Sequence, residues 1–115
     1  MKIKVGYELI YECPQPTPML LMLNIHYTRA SDIVVPDHLV TEPAVPITAY
    51  RDGFGNWCSR ITAPKGVTRI STTAVVRDSG KPDPVVPEAR QHALEELPEE
   101  ALVFLLASRY CETEL

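Results

Sequence analysis

The residues that could carry chemistry in this chain are its three cysteines and three histidines. A thiol enzyme needs a stabilised thiolate, usually at a helix N-terminus or beside an imidazole, and a third group that orients the base. Cys58 falls inside a predicted strand, Cys13 opens a proline-rich loop, and Cys111 follows the end of a predicted helix, where the helix dipole disfavours a thiolate. The sequence therefore predicts buried or incidental thiols and no catalytic residue.

The histidines do not have the spacing of a metal site. His26, His38 and His92 lie in separate segments, and no two cysteines form a CxxC pair. The odd number of cysteines also argues against a disulfide framework and favours a reducing compartment. We therefore expect no metal ligands, no cofactor-binding residues and no cofactor.

A cluster of carboxylates near the C-terminus offers a second kind of chemistry, general acid–base catalysis. The cluster consists of Glu95, Glu96, Glu99 and Glu100. Consecutive glutamates around a helix start are typical of a solvated face, because carboxylates there compensate the positive end of the helix dipole. The sequence favours this structural interpretation.

Charge and hydropathy exclude two classes of partner. The net charge is -4 and the basic residues are scattered singly, so no nucleic acid is expected as a partner. The longest apolar runs, Met19–Leu23 and Ala101–Ala107, are far shorter than the roughly 20 residues of a membrane helix. Met1–Val5 leads into an alternating pattern without a signal core. We expect no membrane interaction and a cytoplasmic location.

The elements that must position these residues are predicted mainly from period-two alternation. Ile3–Tyr11 is a half-buried strand, and Met19–Thr28 a second one with Leu21, Leu23, Ile25 and Tyr27 on its core face. Ile33–Thr41 is interrupted by Pro36 and is placed at a sheet edge. Trp57–Ala63 and Val67–Asp78 complete the set. The pattern predicts a mainly β fold, an antiparallel sandwich-like domain of about six to seven short strands over residues 1–80.

The strongest local signal is a hairpin over Tyr50–Trp57. Asp52, Gly53, Gly55 and Asn56 are predicted to form a structural turn, with the positive-φ positions supplied by these residue types. A binding loop is the alternative for the same residues. Trp57 is interpreted as a core residue, with stacking of a ligand as the alternative.

The composition changes after the last predicted strand. Residues 81–97 are expected to be a proline-rich extended linker, and residues 98–115 a short apolar helix and tail, with Pro98 at the first helical position and the end near Arg109. The helix is apolar on all sides, so one supporting surface would leave large side chains in water. The candidate interdomain contact residues are Leu102, Val103, Phe104, Leu105, Leu106 and Tyr110.

Three segments in order carry a family resemblance: Val5–Leu9, Tyr50–Trp57 and Leu97–Thr113. Together they resemble the N-terminal region of bacterial transglutaminase-like proteins, over nearly the whole chain. In that family an initial strand, an aspartate-aromatic-Gly-Asn hairpin and a linker precede a papain-like domain with a Cys-His-Asp triad. Gly53, between Asp52 and Phe54, is a small departure from the pattern. The motifs that hold the triad have no match in this chain, so the resemblance transfers no catalytic residue.

The resemblance implies a non-catalytic β domain that packs against a C-terminal transglutaminase-like catalytic domain of the same parent chain. The parent would be a cysteine peptidase or an amide-processing enzyme with its triad beyond residue 115. An alternative is a stand-alone interaction module that uses a sheet edge or the apolar helix, including as a homodimer. A complete small thiol hydrolase is the third hypothesis.

Overall fold

The computed structural model describes residues 1–112, and the chain divides into two compact units, Met1–Lys81 and Pro82–Leu115. The first unit is built from antiparallel strands, which confirms the mainly β fold. The strands are β1 (Lys2–Cys13), β2 (Thr17–Leu21), β3 (Ile33–Val35), β4 (Val40–Glu42), β5 (Thr48–Arg51), β6 (Trp57–Ala63) and β7 (Gly66–Arg77).

The strands form two sheets. In the four-stranded sheet, β1 pairs along its whole length with β7, and β3 and β4 both pair with β7. In the three-stranded sheet, β6 lies between β2 and β5. The edge position predicted for Ile33–Thr41 is confirmed, and Pro36 divides this segment into two short strands.

The core lies between the two sheets, as expected of a sandwich. Its buried cluster joins Leu21 and Ile61 of the three-stranded sheet to Ile70 of the four-stranded one. Tyr7 and Leu9 of β1 pack against this cluster from the face that alternation assigns to the core. Period-two patterning therefore predicts which face of β1 and β7 turns inward.

The predicted strand Met19–Thr28 is wrong beyond Leu21, where β2 ends. The carboxylate of Asp37 accepts hydrogen bonds from the backbone N–H of Ile25 (2.7 Å) and from the side-chain amide of Asn24 (3.1 Å). The chain then enters a 3₁₀ helix, η1 (Tyr27–Asp32), whose N-cap is His26. Hydrogen bonds to the Asp37 carboxylate, which is distant in sequence, and the local His26 cap thus replace the sheet ladder that the apolar alternation predicts.

The second unit holds two short 3₁₀ helices, η2 (Leu94–Glu96) and η3 (Glu99–Leu105). The predicted helix from Pro98 to Arg109 is wrong in type and in length, because η3 has 3₁₀ hydrogen bonding and Pro98 is its N-cap residue. A helix this short cannot recover the cost of nucleation, and Val103 and Phe104 favour α-helix poorly. Within residues 1–112, no helix is long and apolar enough to cross a membrane.

Candidate functional site

The turn between β5 and β6 is held by the carboxylate of Asp52. Its Oδ1 accepts hydrogen bonds from the backbone N–H groups of Phe54 and Asn56, both at 2.9 Å. Its Oδ2 accepts one from the side-chain amide of Asn56 at 3.0 Å. The hydrogen bond from the Asn56 side chain is the main cause that lowers the pKa of Asp52 below its usual value. The Asp52 carboxylate therefore fixes the shape of the turn.

Gly55 is the turn residue that tolerates no side chain. Its φ is +81°, and a Cβ there would overlap the ring of Tyr27 in η1. Gly53 has a negative φ and open space around it, so the prediction of a positive-φ role for Gly53 is wrong. Asp52 and Asn56 also have negative φ and act through their side chains.

The turn is joined to η1 by His26. The carbonyl of Phe54 lies 3.1 Å from Nε2 of His26, and since a carbonyl only accepts, Nε2 carries the donated proton. Nδ1 accepts from the backbone N–H of Thr28 as the cap of η1. Both ring nitrogens of His26 are therefore used in hydrogen bonds that hold the local structure. The hydrogen bonds of His26 hold the turn against η1.

Arg51 and Trp57 face each other across the hairpin at the two ends of the turn. The guanidinium carbon of Arg51 lies 5.0 Å from the ring centroid of Tyr27 and 5.8 Å from that of Trp57. Both distances are within the range of cation–π attraction. The prediction of Trp57 as a core residue is wrong, since its side chain is 40% exposed. Alternation puts Trp57 on the same face of β6 as Ile61, but Trp57 is not among the residues that pack in the Leu21–Ile61–Ile70 cluster.

These residues line a cleft of about 500 Å³, here named the Arg51 cleft. Its hairpin wall consists of Ile47, Ala49, Arg51, Trp57 and Ser59, and its opposite wall includes Asn24, Ile25, Tyr27, Asp37, His38 and Leu39. The cleft combines apolar walls with one cation and several hydrogen-bonding groups. Such a mixture is typical of sites that bind a small polar ligand or a peptide segment.

The sequence reasoning missed Arg51 and Tyr27 as site residues. An arginine and a tryptophan that flank a tight turn are cross-strand partners, and this spacing could have indicated the Arg51–Trp57 pair. Tyr27 could not be found in this way, because the segment that carries it was predicted as a strand and forms η1.

In the part of the chain that the structure describes, no hydrogen bond or ion pair joins a cysteine thiol to a histidine ring. Cys13 and Cys58 are buried, and the Cys58 thiol donates to the carbonyl of Asn56 at 3.8 Å and also contacts the hydroxyl of Tyr50. Cys111 is exposed in the second unit. Among residues 1–112, no group of three or more His, Cys, Asp and Glu side chains could hold a metal ion.

Within the carboxylate cluster, Glu96 has the most hydrogen bonds. Its two oxygens accept from the guanidinium of Arg90 at 3.0 Å each, and one also accepts from the backbone N–H of Ala93. The Arg90 hydrogen bond is the largest cause that lowers the pKa of Glu96. Glu96 thus caps η2, a structural role of the kind the sequence favours for this cluster.

The candidate interdomain contact residues are all exposed. Leu102, Val103 and Leu105 of η3 each expose between two-fifths and just over half of their surface, and Phe104, Leu106 and Tyr110 expose more. Exposed apolar side chains in one short segment are typical of surfaces that contact another protein.

The comparisons with known proteins give a fold likeness. No family model matches the chain, and no curated protein matches it. The structure is similar to a solved structure described as a "putative cysteine protease" from Cytophaga hutchinsonii, with a TM-score of 0.63 and 24% sequence identity. The likeness covers 96% of this chain and 39% of that one, so this chain spans well under half the length of the protein whose fold it shares.

Proposed function

We propose that this chain is the non-catalytic N-terminal β domain of a transglutaminase-like protein, packed against a papain-like catalytic domain that it supports. The observation that carries the proposal is the likeness to the "putative cysteine protease", which takes in 96% of this chain and 39% of that one. The remainder of such a protein has room for a catalytic domain with its own Cys-His-Asp triad.

The placement of the thiols supports a domain without its own active site. Cys13 and Cys58 are buried, so a substrate carbonyl cannot reach either sulfur. Iodoacetamide at neutral pH is expected to modify Cys111 at the rate of an ordinary exposed thiol, and Cys13 and Cys58 only on unfolding. Rapid modification of Cys58 in the folded chain, with turnover of activated amides, would support the thiol hydrolase instead.

The apolar side chains of η3 and the residue after it are the proposed contact with the catalytic domain. Leu102, Leu105 and Leu106 would gain about 25 cal/mol for each Å² of apolar surface that a neighbouring domain covers. In the isolated chain the same surface could support a homodimer. Light scattering over a range of protein concentrations measures that association.

The first experiment is to read the coding sequence beyond codon 115. We expect it to continue into a segment with a cysteine nucleophile at a helix start. A stop codon after Leu115 would refute the proposal.

The second experiment uses the longer protein and a matched pair of variants. Leu105→Ser is expected to weaken the contact between the domains and to lower the thermal midpoint of the longer protein, while leaving that of the 115-residue chain unchanged. Val85→Ser is the control, because Val85 is 83% exposed and lies outside the proposed contact. Equal, negligible effects of both variants in the longer protein would place the domain contact elsewhere.

A further inference from the structure

The Arg51 cleft exists because the inner face of β5 is left uncovered. The register pairs Ala49 with Ser59 and Arg51 with Trp57, so Ala49 and Arg51 share the inward direction of Ser59. Ser59 is only 3% exposed, whereas Ala49 and Arg51 are exposed. On the inner face of the hairpin, Ser59 is therefore part of the core, whereas Ala49, Arg51 and Trp57 are open to a ligand.

The cation in this cleft has no internal carboxylate partner. Among residues 1–112, no carboxylate lies within ion-pair distance of the Arg51 guanidinium, whose contacts are the rings of Tyr27 and Trp57. Contact with aromatic rings leaves the N–H groups at the guanidinium edge available, and this edge matches a carboxylate with two parallel hydrogen bonds.

The carboxylates beside the cleft already accept hydrogen bonds from neighbouring groups. Asp37 accepts from the N–H of Ile25 and the amide of Asn24, and Asp52 accepts three hydrogen bonds inside the turn. Their negative charge near a single arginine disfavours a polyanion, which needs clustered cations. The charge pattern fits a ligand with one carboxylate.

The edge of β5 adds a reason to expect a peptide. β5 pairs with β6 on one side, and it is the last strand of its sheet. Its other side therefore presents backbone N–H and C=O groups that an extended peptide can pair with. A peptide on this edge lies next to Ile47, Ala49 and Arg51.

We propose that the Arg51 cleft binds an extended peptide that carries a carboxylate. The carboxylate accepts two hydrogen bonds from the Arg51 guanidinium, the peptide backbone lies along β5, and an apolar side chain of the peptide contacts Ile47 and Trp57. The carboxylate is that of a glutamate or aspartate side chain or that of a peptide C-terminus. This proposal does not depend on the presence of a catalytic domain.

Trp57 provides the readout, because it is the one tryptophan in the chain. The 115-residue chain is titrated with three synthetic peptides while the indole N–H resonance of Trp57 and the amide resonances of β5 are followed by NMR. The first peptide is acetyl-Val-Glu-Val-amide, the second is acetyl-Val-Gln-Val-amide, and the third is acetyl-Val-Gln-Val with a free C-terminal carboxylate.

We expect a saturable shift of the Trp57 indole and of the Ala49 and Arg51 amides with the first peptide, the third, or both, and none with the second. The peptide that binds identifies the source of the carboxylate. Arg51→Gln should weaken the binding about tenfold or more, since a charged hydrogen-bonding partner is lost. Arg51→Lys should also weaken it, because lysine cannot form the two parallel bonds.

Arg60→Gln is the matched control. Arg60 is an exposed arginine of the same hairpin, but alternation places it on the opposite face of β6 from Trp57. Its loss should leave the affinity unchanged. Equal binding of the glutamine peptide with a blocked C-terminus, no saturable shift with either carboxylate peptide, or unchanged affinity in a folded Arg51→Gln variant would overturn the proposal.

Discussion

Residues 1–81 and the described residues of the second unit, 82–112, bury their apolar side chains to very different extents. The first unit encloses Leu21, Ile61 and Ile70 between two sheets. In the second unit, no residue of 82–112 is buried, although 102–106 is a continuous apolar run. Apolar composition alone therefore does not produce a core. Two layers that present matching faces are required.

The difference has a structural cause in each region. Long paired strands such as β1 and β7 give the first unit a continuous inner face. The second unit begins with Pro82, Pro84 and Pro87, and its two short 3₁₀ helices provide no second layer. The free energy of folding should therefore come from residues 1–81.

The largest effect is expected in the core of the first unit. Ile70→Ala removes a fully buried side chain at the centre of the cluster and should destabilise the chain by about 2–5 kcal/mol. Urea denaturation followed by circular dichroism measures the change. Val67→Ala on the same strand is the control, because Val67 is 60% exposed and should change stability by about 0.5 kcal/mol or less. Similar losses for both variants would contradict the location of the core.

A smaller effect is expected at the turn that supports the Arg51 cleft. Gly55→Ala places a side chain at positive φ and against Tyr27, so we expect a loss of about 1–3 kcal/mol. Gly53→Ala is the matched control two residues away. Its space is open and its φ is ordinary, so it should be neutral or slightly stabilising. Thermal melts of both variants test the contrast, and equal destabilisation would show that the turn does not depend on Gly55.

The smallest effect is a pH dependence at Asp52. Hydrogen bonds lower its pKa in the folded state, so the ionised carboxylate stabilises the fold above the unfolded pKa of about 3.9, and this stabilisation is lost as the pH falls through the lower folded value. Asp52→Asn should therefore be less stable than the wild type at neutral pH, with a difference that shrinks in acid. Urea midpoints from neutral to acid pH measure this. Asp83→Asn controls for net charge, and a difference at Asp52 that stays constant with pH would contradict the account.

The sequence predicts the parts of the fold that depend on patterns along one strand. Alternation identifies β1, β6 and β7 and the inward face of Ile70, and the glycines and prolines mark the hairpin and the break at Pro36. It fails where side chains distant in sequence decide the structure. The backbone N–H of Ile25 donates to the Asp37 carboxylate in the segment after β2, and this contact between residues distant in sequence has no periodic signal.

The candidate site is less predictable for the same reason. The resemblance directs attention to Asp52 and Asn56, and the structure gives them a turn-forming role. The Arg51 cleft depends on Tyr27, which enters the site only because η1 replaces a predicted strand. The cleft forms because no other element of residues 1–81 covers the inner face of β5, and a pattern of residues along one strand does not show what covers that strand.

Native-state hydrogen exchange on the 115-residue chain tests the contrast between the two units most directly. We expect the amides of β7 around Ile70 to exchange only through global unfolding, and those of Glu99–Leu105 to exchange through local opening at a much smaller free energy. Protection of the η3 amides equal to that of β7, in a chain that is monomeric at the concentration used, would contradict the account.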